Sequence, residues 1–116
     1  MSRDYRLYLQ DIFDSCEKAI LFTDGLTFEE FSSDPKTIDA VARNLEIVGE
    51  AVKNVPQEIL ALRPDINWKN IARFRDLIAH YYFRVKLDVV WGIIQNRLDD
   101  IMQAADEIRQ SLPEMD

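Results

Sequence analysis

Apolar residues return at three- and four-residue steps through almost the whole chain, while no stretch alternates apolar and polar residues between glycine-containing turns. The first rhythm is that of amphipathic helices and the second, missing one is that of half-buried strands. Tyr5, Tyr8, Leu9, Ile12, Phe13, Cys16 and Ile20 trace one stripe that ends near Thr23, Asp24 and Gly25, a natural helix stop. Thr27 and Glu30 have the spacing of a capping box and predict a short helical turn through Phe28 and Phe31. Asp34 before Pro35 predicts a firmer start, since the carboxylate caps free N–H groups and proline at the first helical position loses no hydrogen bond. From there Ile38, Val41, Leu45, Val48, Val52 and Val55 give the clearest core helix.

Pro56 and Pro64 bracket a short helical piece over residues 57–62, and Asn67 is placed to cap a helix carrying Trp68, Ile71, Phe74 and Ile78 that falters near residues 82–85. Leu87, Val90, Trp91, Ile94, Leu98, Ile101, Ala105, Ile108 and Leu112 predict one closing helix that stops before Pro113. The expected fold is all-α: an antiparallel four-helix bundle with one or two short extra helices, in a single domain over residues 1–116.

Composition narrows the function classes. At 47% hydrophobic and 30% charged residues the chain buries an ordinary core. No run of about 18 uncharged apolar residues is present and the N-terminus has no secretory pattern, so no membrane association and a cytoplasmic location are expected. One cysteine, Cys16, forms no internal disulfide, and with one histidine beside it the chain lacks a Cys/His set for zinc; neither metal nor cofactor is expected. The net charge of -7 argues against a broad nucleic-acid-binding face. Residues 63–86, however, hold six basic against two acidic groups, while the other 92 residues hold eight against nineteen. A basic island in an acidic protein suits a focused anion site.

That island contains Arg75-Asp76-Leu77-Ile78-Ala79-His80-Tyr81-Tyr82. On one helix Arg75 and Tyr82, seven residues apart, nearly eclipse, and Asp76 and His80, four apart, are neighbours. The plain reading of a single histidine near a helix C-terminus is packing or interaction with the helix dipole, and an Arg-x4-His pair alone is common on solvated faces. Arg73 and Arg84 flank the array and either extend an RNA track or simply solvate the helix. Tyr81 is the aromatic best placed to stack a base, although aromatics at helical spacing are more often core.

The array resembles the Arg-x4-His-x-Tyr motif of the HEPN superfamily, and its terminal tyrosine resembles the HepT branch. Val48-Gly49-Glu50-Ala51, then residues 68–71, 73–82 and the closing helix with Trp91 are similar to HepT-type chains in order and spacing, which extends the resemblance over residues 38–98. The resemblance implies a HEPN-type bundle and the toxin of a type VII toxin–antitoxin pair: a metal-independent endoribonuclease acting as a homodimer, with the motifs of two subunits facing each other across a cleft. Arg75 and His80 are the implied catalytic residues, with Asp76 supporting His80 as hydrogen-bond acceptor; relatives commonly have Asn at this second motif position. Tyr82 is the implied site at which an MntA-type nucleotidyltransferase antitoxin attaches AMP.

This chemistry has a physical logic. Cleaving RNA without a metal needs a base for the 2′-hydroxyl, an acid for the leaving 5′-oxygen and a cation for the phosphoryl charge. One subunit holds one imidazole, so His80 of two subunits would supply the base and the acid. Arg75 offers a planar fork for two phosphate oxygens. Transfer RNA and messenger RNA both remain open as substrates. An alternative from another class is a non-catalytic HEPN subunit that binds substrate for a two-component nucleotidyltransferase.

Overall fold

The computed structural model describes residues 4–81 and 86–112, the side chains of residues 79–81 excepted. Every regular element among them is a helix: α1 (Tyr5–Thr23), α2 (Phe28–Ser32), α3 (Pro35–Asn54), α4 (Gln57–Leu60), α5 (Trp68–Tyr81), α6 (Leu87–Asn96) and α7 (Leu98–Ser111). The expected all-α bundle is what forms, with α1, α3, α5 and α7 as its main members and α2 and α4 as short extra helices.

Local capping chemistry sets most boundaries. Asp4 accepts the Arg6 N–H at 3.0 Å and starts α1. Its end is marked by Thr23, whose hydroxyl donates to the Ala19 carbonyl at 2.9 Å, and by Gly25, whose φ of 78° is left-handed. The capping box at α2 is complete: Glu30 N donates to Thr27 Oγ1 at 3.1 Å and Thr27 N donates to Glu30 Oε1 at 3.0 Å. Asp34 receives the backbone N–H groups of Lys36 and Thr37 and, at 2.7 Å, the Thr37 hydroxyl, with Pro35 at the first helical position. Asn67 accepts the Asn70 N–H at 3.1 Å and opens α5. The expected faltering at residues 82–85 falls outside the described residues.

The core is one cluster in which Leu9, Ile12, Cys16, Val41, Val48, Leu98 and Ile108 are almost wholly buried. Helix α1 lies between α3 and α7, and α3 lies between α1 and α5. Helix α5 is therefore an edge member of the bundle that packs mainly on α3. Trp68, at its start, is core: its indole Nε1–H donates to the carbonyls of Leu60, at 3.0 Å, and Arg63, at 3.1 Å.

Two details differ from expectation. Helix α4 stops at Leu60 and continues as turns. The closing helix divides at Arg97, whose φ of -126° and ψ of -37° leave the helical region. The two halves serve different partners: α6 turns Trp91 onto α2, with ring centroids 5.2 Å from Phe31 and 6.2 Å from Phe28, while α7 lies along α1.

Candidate functional site

The crossing of α3 and α5 builds the site, and Gly49 makes the crossing close. A Cβ placed on Gly49 would stand 2.1 Å from the Arg75 Cβ, 2.8 Å from its Cγ and 3.2 Å from the Ile71 carbonyl oxygen. Glycine is disfavoured inside a helix, so its use here reflects contact with a neighbouring backbone. The root of the Arg75 side chain thus rests directly on α3.

Around that contact four charged side chains alternate in sign. On α3, Glu50 and Lys53 are one turn apart; on α5, Arg75 and Asp76 are adjacent. Arg75 Nη1 donates to Asp76 Oδ1 at 3.2 Å, and Lys53 Nζ donates to the same oxygen. Arg75 Nε lies 3.2 Å from Glu50 Oε2, an ion-pair distance, but its N–H is not aimed at that oxygen, and this buried nitrogen has no hydrogen-bond acceptor among the described residues. The order is Glu50, Arg75, Asp76, Lys53, with no net charge. The Lys53 ammonium, followed by the Arg75 guanidinium, holds the Asp76 carboxyl below the usual carboxylate range. The Arg75 side chain is 27% exposed, against 46% for Asp76 and 54% for Glu50, so the guanidinium is the sheltered member and the carboxylates are its outer partners.

Beside Arg75 a cleft of about 200 Å³ opens between α1 and α3, with Tyr8, Asp11, Arg43, Glu46 and Ile47 among its lining residues. A larger cavity of about 430 Å³ lies on the other face of α5, floored by Val48, Ile71, Phe74 and Ile93 and rimmed by Asn70 and Arg97. Arg75 and Phe74, neighbours in sequence, therefore serve different concavities.

Of the residues singled out from sequence, the structure brings Arg75 and Asp76 together. Asp76 takes Lys53 and Arg75 as donors; the side chain of His80, its expected donor, lies outside the described residues. The backbone of His80 belongs to α5, five residues after Arg75. The Tyr81 side chain, Tyr82 and Arg84 lie outside the described residues as well. Arg73 is exposed and takes no part in the four-charge array. Sequence reasoning did not single out Lys53 and Glu50 for chemistry; their sign is two charges one turn apart flanking the apolar stripe of a glycine-containing helix. Cys16 is a core thiol whose pKa burial pushes up to about 12, in keeping with its place on the apolar stripe of α1. Among the described residues no group of three or more His, Cys, Asp or Glu side chains is placed to hold a metal ion, and no helix is long and apolar enough to cross a membrane.

Comparison with known proteins adds a family to this geometry. The sequence model described as "Ribonuclease HepT-like" matches residues 12–108. The chain is 38% identical over 110 residues to "Probable ribonuclease HepT" of Thermococcus cleftensis, an alignment that covers 95% of this chain and all of that protein. It is 40% identical over 106 residues to "Putative RNase MJ0127" of Methanocaldococcus jannaschii, covering 91% of this chain and 88% of the other. No solved structure gives a significant match.

Proposed function

The chain belongs to the HepT-like ribonuclease family, and from that premise we propose that it is the toxin of a type VII toxin–antitoxin pair, a metal-independent endoribonuclease whose active site two subunits complete. The observation that carries this reading is the placement of Arg75. A mostly buried guanidinium, rooted against Gly49 and paired with the partly exposed carboxylates of Glu50 and Asp76, suits a preorganised phosphate clamp on the helix that bears His80.

In the proposed reaction neutral His80 of one subunit takes the proton of the RNA 2′-hydroxyl, and the 2′-oxygen attacks phosphorus. Arg75 stabilises the charge that gathers on the non-bridging oxygens. Protonated His80 of the second subunit gives its proton to the 5′-oxygen as the P–O bond to it breaks, leaving a 2′,3′-cyclic phosphate and a 5′-hydroxyl. Asp76 supports His80 by favouring its protonated form. Arg73, Tyr81 and Arg84 extend the RNA track on either side of the motif. Tyr82 is the phenol that a nucleotidyltransferase antitoxin of the MntA type modifies: its oxygen attacks the α-phosphorus of ATP, pyrophosphate leaves, and the attached AMP places bulk and negative charge beside the RNA phosphate.

The test is cleavage of total tRNA and of a messenger transcript by the purified protein, with light scattering to give its oligomeric state. Wild type is expected to be a dimer that yields cyclic-phosphate ends in the presence of a chelator, and Arg75→Ala and His80→Ala are expected to lose at least about 100-fold in rate. A strict monomer, or full cleavage by His80→Ala, would overturn the composite site. Absence of both cleavage and growth arrest from every version would favour the alternative of a substrate-binding subunit for a two-component nucleotidyltransferase.

A further inference from the structure

Two cations from different helices close on a single carboxylate oxygen. Lys53 Nζ, from α3, and Arg75 Nη1, from α5, both donate to Oδ1 of Asp76. That oxygen has the surroundings of a non-bridging phosphate oxygen held jointly by a lysine point charge and an arginine fork. The three groups differ in how firmly they are placed. Arg75 is pinned at its Cβ by Gly49, with Glu50 at ion-pair distance from its Nε. Asp76 is nearly half exposed, so a rotation of its side chain carries the carboxylate into water and leaves both cations pointing at the vacated position. Ion pairs this exposed contribute little to stability, and the array gives up little when this one is exchanged.

We propose that Lys53 and Arg75 form a two-cation site for the scissile phosphodiester of RNA, which Asp76 occupies as an internal anion until RNA displaces it. The proposal rests on the reading of Arg75 as the phosphate clamp; what it adds is Lys53 as a phosphate ligand and Asp76 as the competitor for it. It has a signature that a merely structural ion pair lacks. If Lys53 and Asp76 only tied α3 to α5, removing either partner would break the same contact and shift RNA binding in the same direction. As ligand and competitor, they shift it in opposite directions.

The experiment measures the affinity of the full-length protein for a fluorescent 2′-O-methyl oligoribonucleotide, which keeps the phosphates but has no nucleophilic 2′-hydroxyl, over a range of salt concentrations. Lys53→Met is expected to weaken binding by about tenfold, as expected for one charge-assisted hydrogen bond at a half-exposed site. It should also reduce the slope of log affinity against log salt by about 0.7, the loss of one phosphate contact on a single strand. Lys53→Arg is expected to restore both, and Asp76→Asn to tighten binding. Thermal melts report whether each variant is folded, and Lys53→Gln substitutes for Lys53→Met if the latter is not. Unchanged affinity and slope in the folded Lys53 variant, or shifts of the same sign for Lys53→Met and Asp76→Asn, would overturn the proposal. Wild type that binds this oligonucleotide but never cuts unmodified RNA would remove the nuclease reading and leave the site standing. Cleavage with normal binding by Lys53→Met would do the reverse, and no binding by wild type would remove both.

Discussion

Gly49→Ala isolates the contact on which the site is built. The added Cβ would lie 2.1 Å from the Arg75 Cβ, an atom fixed to the backbone of α5 and unable to rotate away. Restoring an ordinary carbon–carbon separation of about 3.6 Å requires α5 to withdraw from α3 by roughly 1.5 Å at that level. Such overpacking costs about 1–3 kcal/mol, of which the better helix propensity of alanine returns about 0.5–1. The net loss of about 1 kcal/mol corresponds to roughly 4 °C in Tm for a domain of this size. If Arg75 holds the phosphate as proposed, the effect on RNA cleavage is larger, because a displacement of about 1 Å in such a group lowers the rate by about 100-fold. The assay pairs a circular-dichroism melt with RNA cleavage well below Tm. Gly92→Ala is the control: a Cβ there meets nothing within 4 Å among the described residues, and alanine in α6 should be neutral or slightly stabilising. Gly49→Ala with wild-type Tm and wild-type rate would refute the close crossing as the origin of the site.

Three further outcomes are expected. With its pKa pushed up to about 12, the Cys16 thiol is ionised in about one molecule in ten thousand at pH 8, so native protein should not react with Ellman's reagent while unfolded protein reacts once; rapid native labelling would contradict its burial. Trp68→Phe keeps a ring in the core but removes the indole donor shared by two carbonyls, each of which keeps a backbone donor, and should lower the unfolding free energy by about 1 kcal/mol in urea titrations; an unmoved midpoint would count against that role. Asp34 is held below the usual carboxylate range by the Thr37 hydroxyl, so its contribution to stability is full above about pH 4 and is lost as pH falls through the depressed folded value. Asp34→Asn keeps a capping oxygen and does not titrate, so its Tm should fall less steeply than wild type below pH 4; parallel acid melts would show the cap to be silent.

What the sequence made legible was local. Asp34 with Pro35, Thr27 with Glu30, and Asn67 each act on N–H groups within three residues, so their effect is visible without knowing the fold. The break at Arg97 was not legible, because Ile94 and Leu98 stay four residues apart and both remain buried, which keeps the apolar stripe continuous across it. Its cause is tertiary: Trp91 is drawn to Phe28 and Phe31 while α7 follows α1. The candidate site divides in the same way. Arg75 and Asp76 stood out because the motif is contiguous. Lys53 and Glu50 sit on an ordinary amphipathic helix more than twenty residues earlier, and only the crossing at Gly49 makes them neighbours of the motif. A glycine inside the strongest core helix was the single sequence sign of that crossing.

The charge balance of the chain also bears on how it meets RNA. A protein of net charge -7 repels a polyanion at long range, so affinity must come from a few short-range contacts that outweigh that repulsion. Among the described residues the array pairs each of its two cations with a carboxylate, and on the proposed exchange RNA phosphate would replace carboxylate without uncovering a broad basic surface. The two phosphate contacts of the crossing correspond to a slope of about 1.4 in log affinity against log salt on a single strand, and the Arg73 and Arg84 contacts of the proposed RNA track raise it to about 2.8 per subunit. Binding should accordingly survive moderate salt better than that of a basic RNA-binding domain. A measured slope above about 6, more than the proposed contacts of two subunits supply, would mean that further cations reach the strand, and would place part of RNA recognition outside the crossing of α3 and α5 and its flanks.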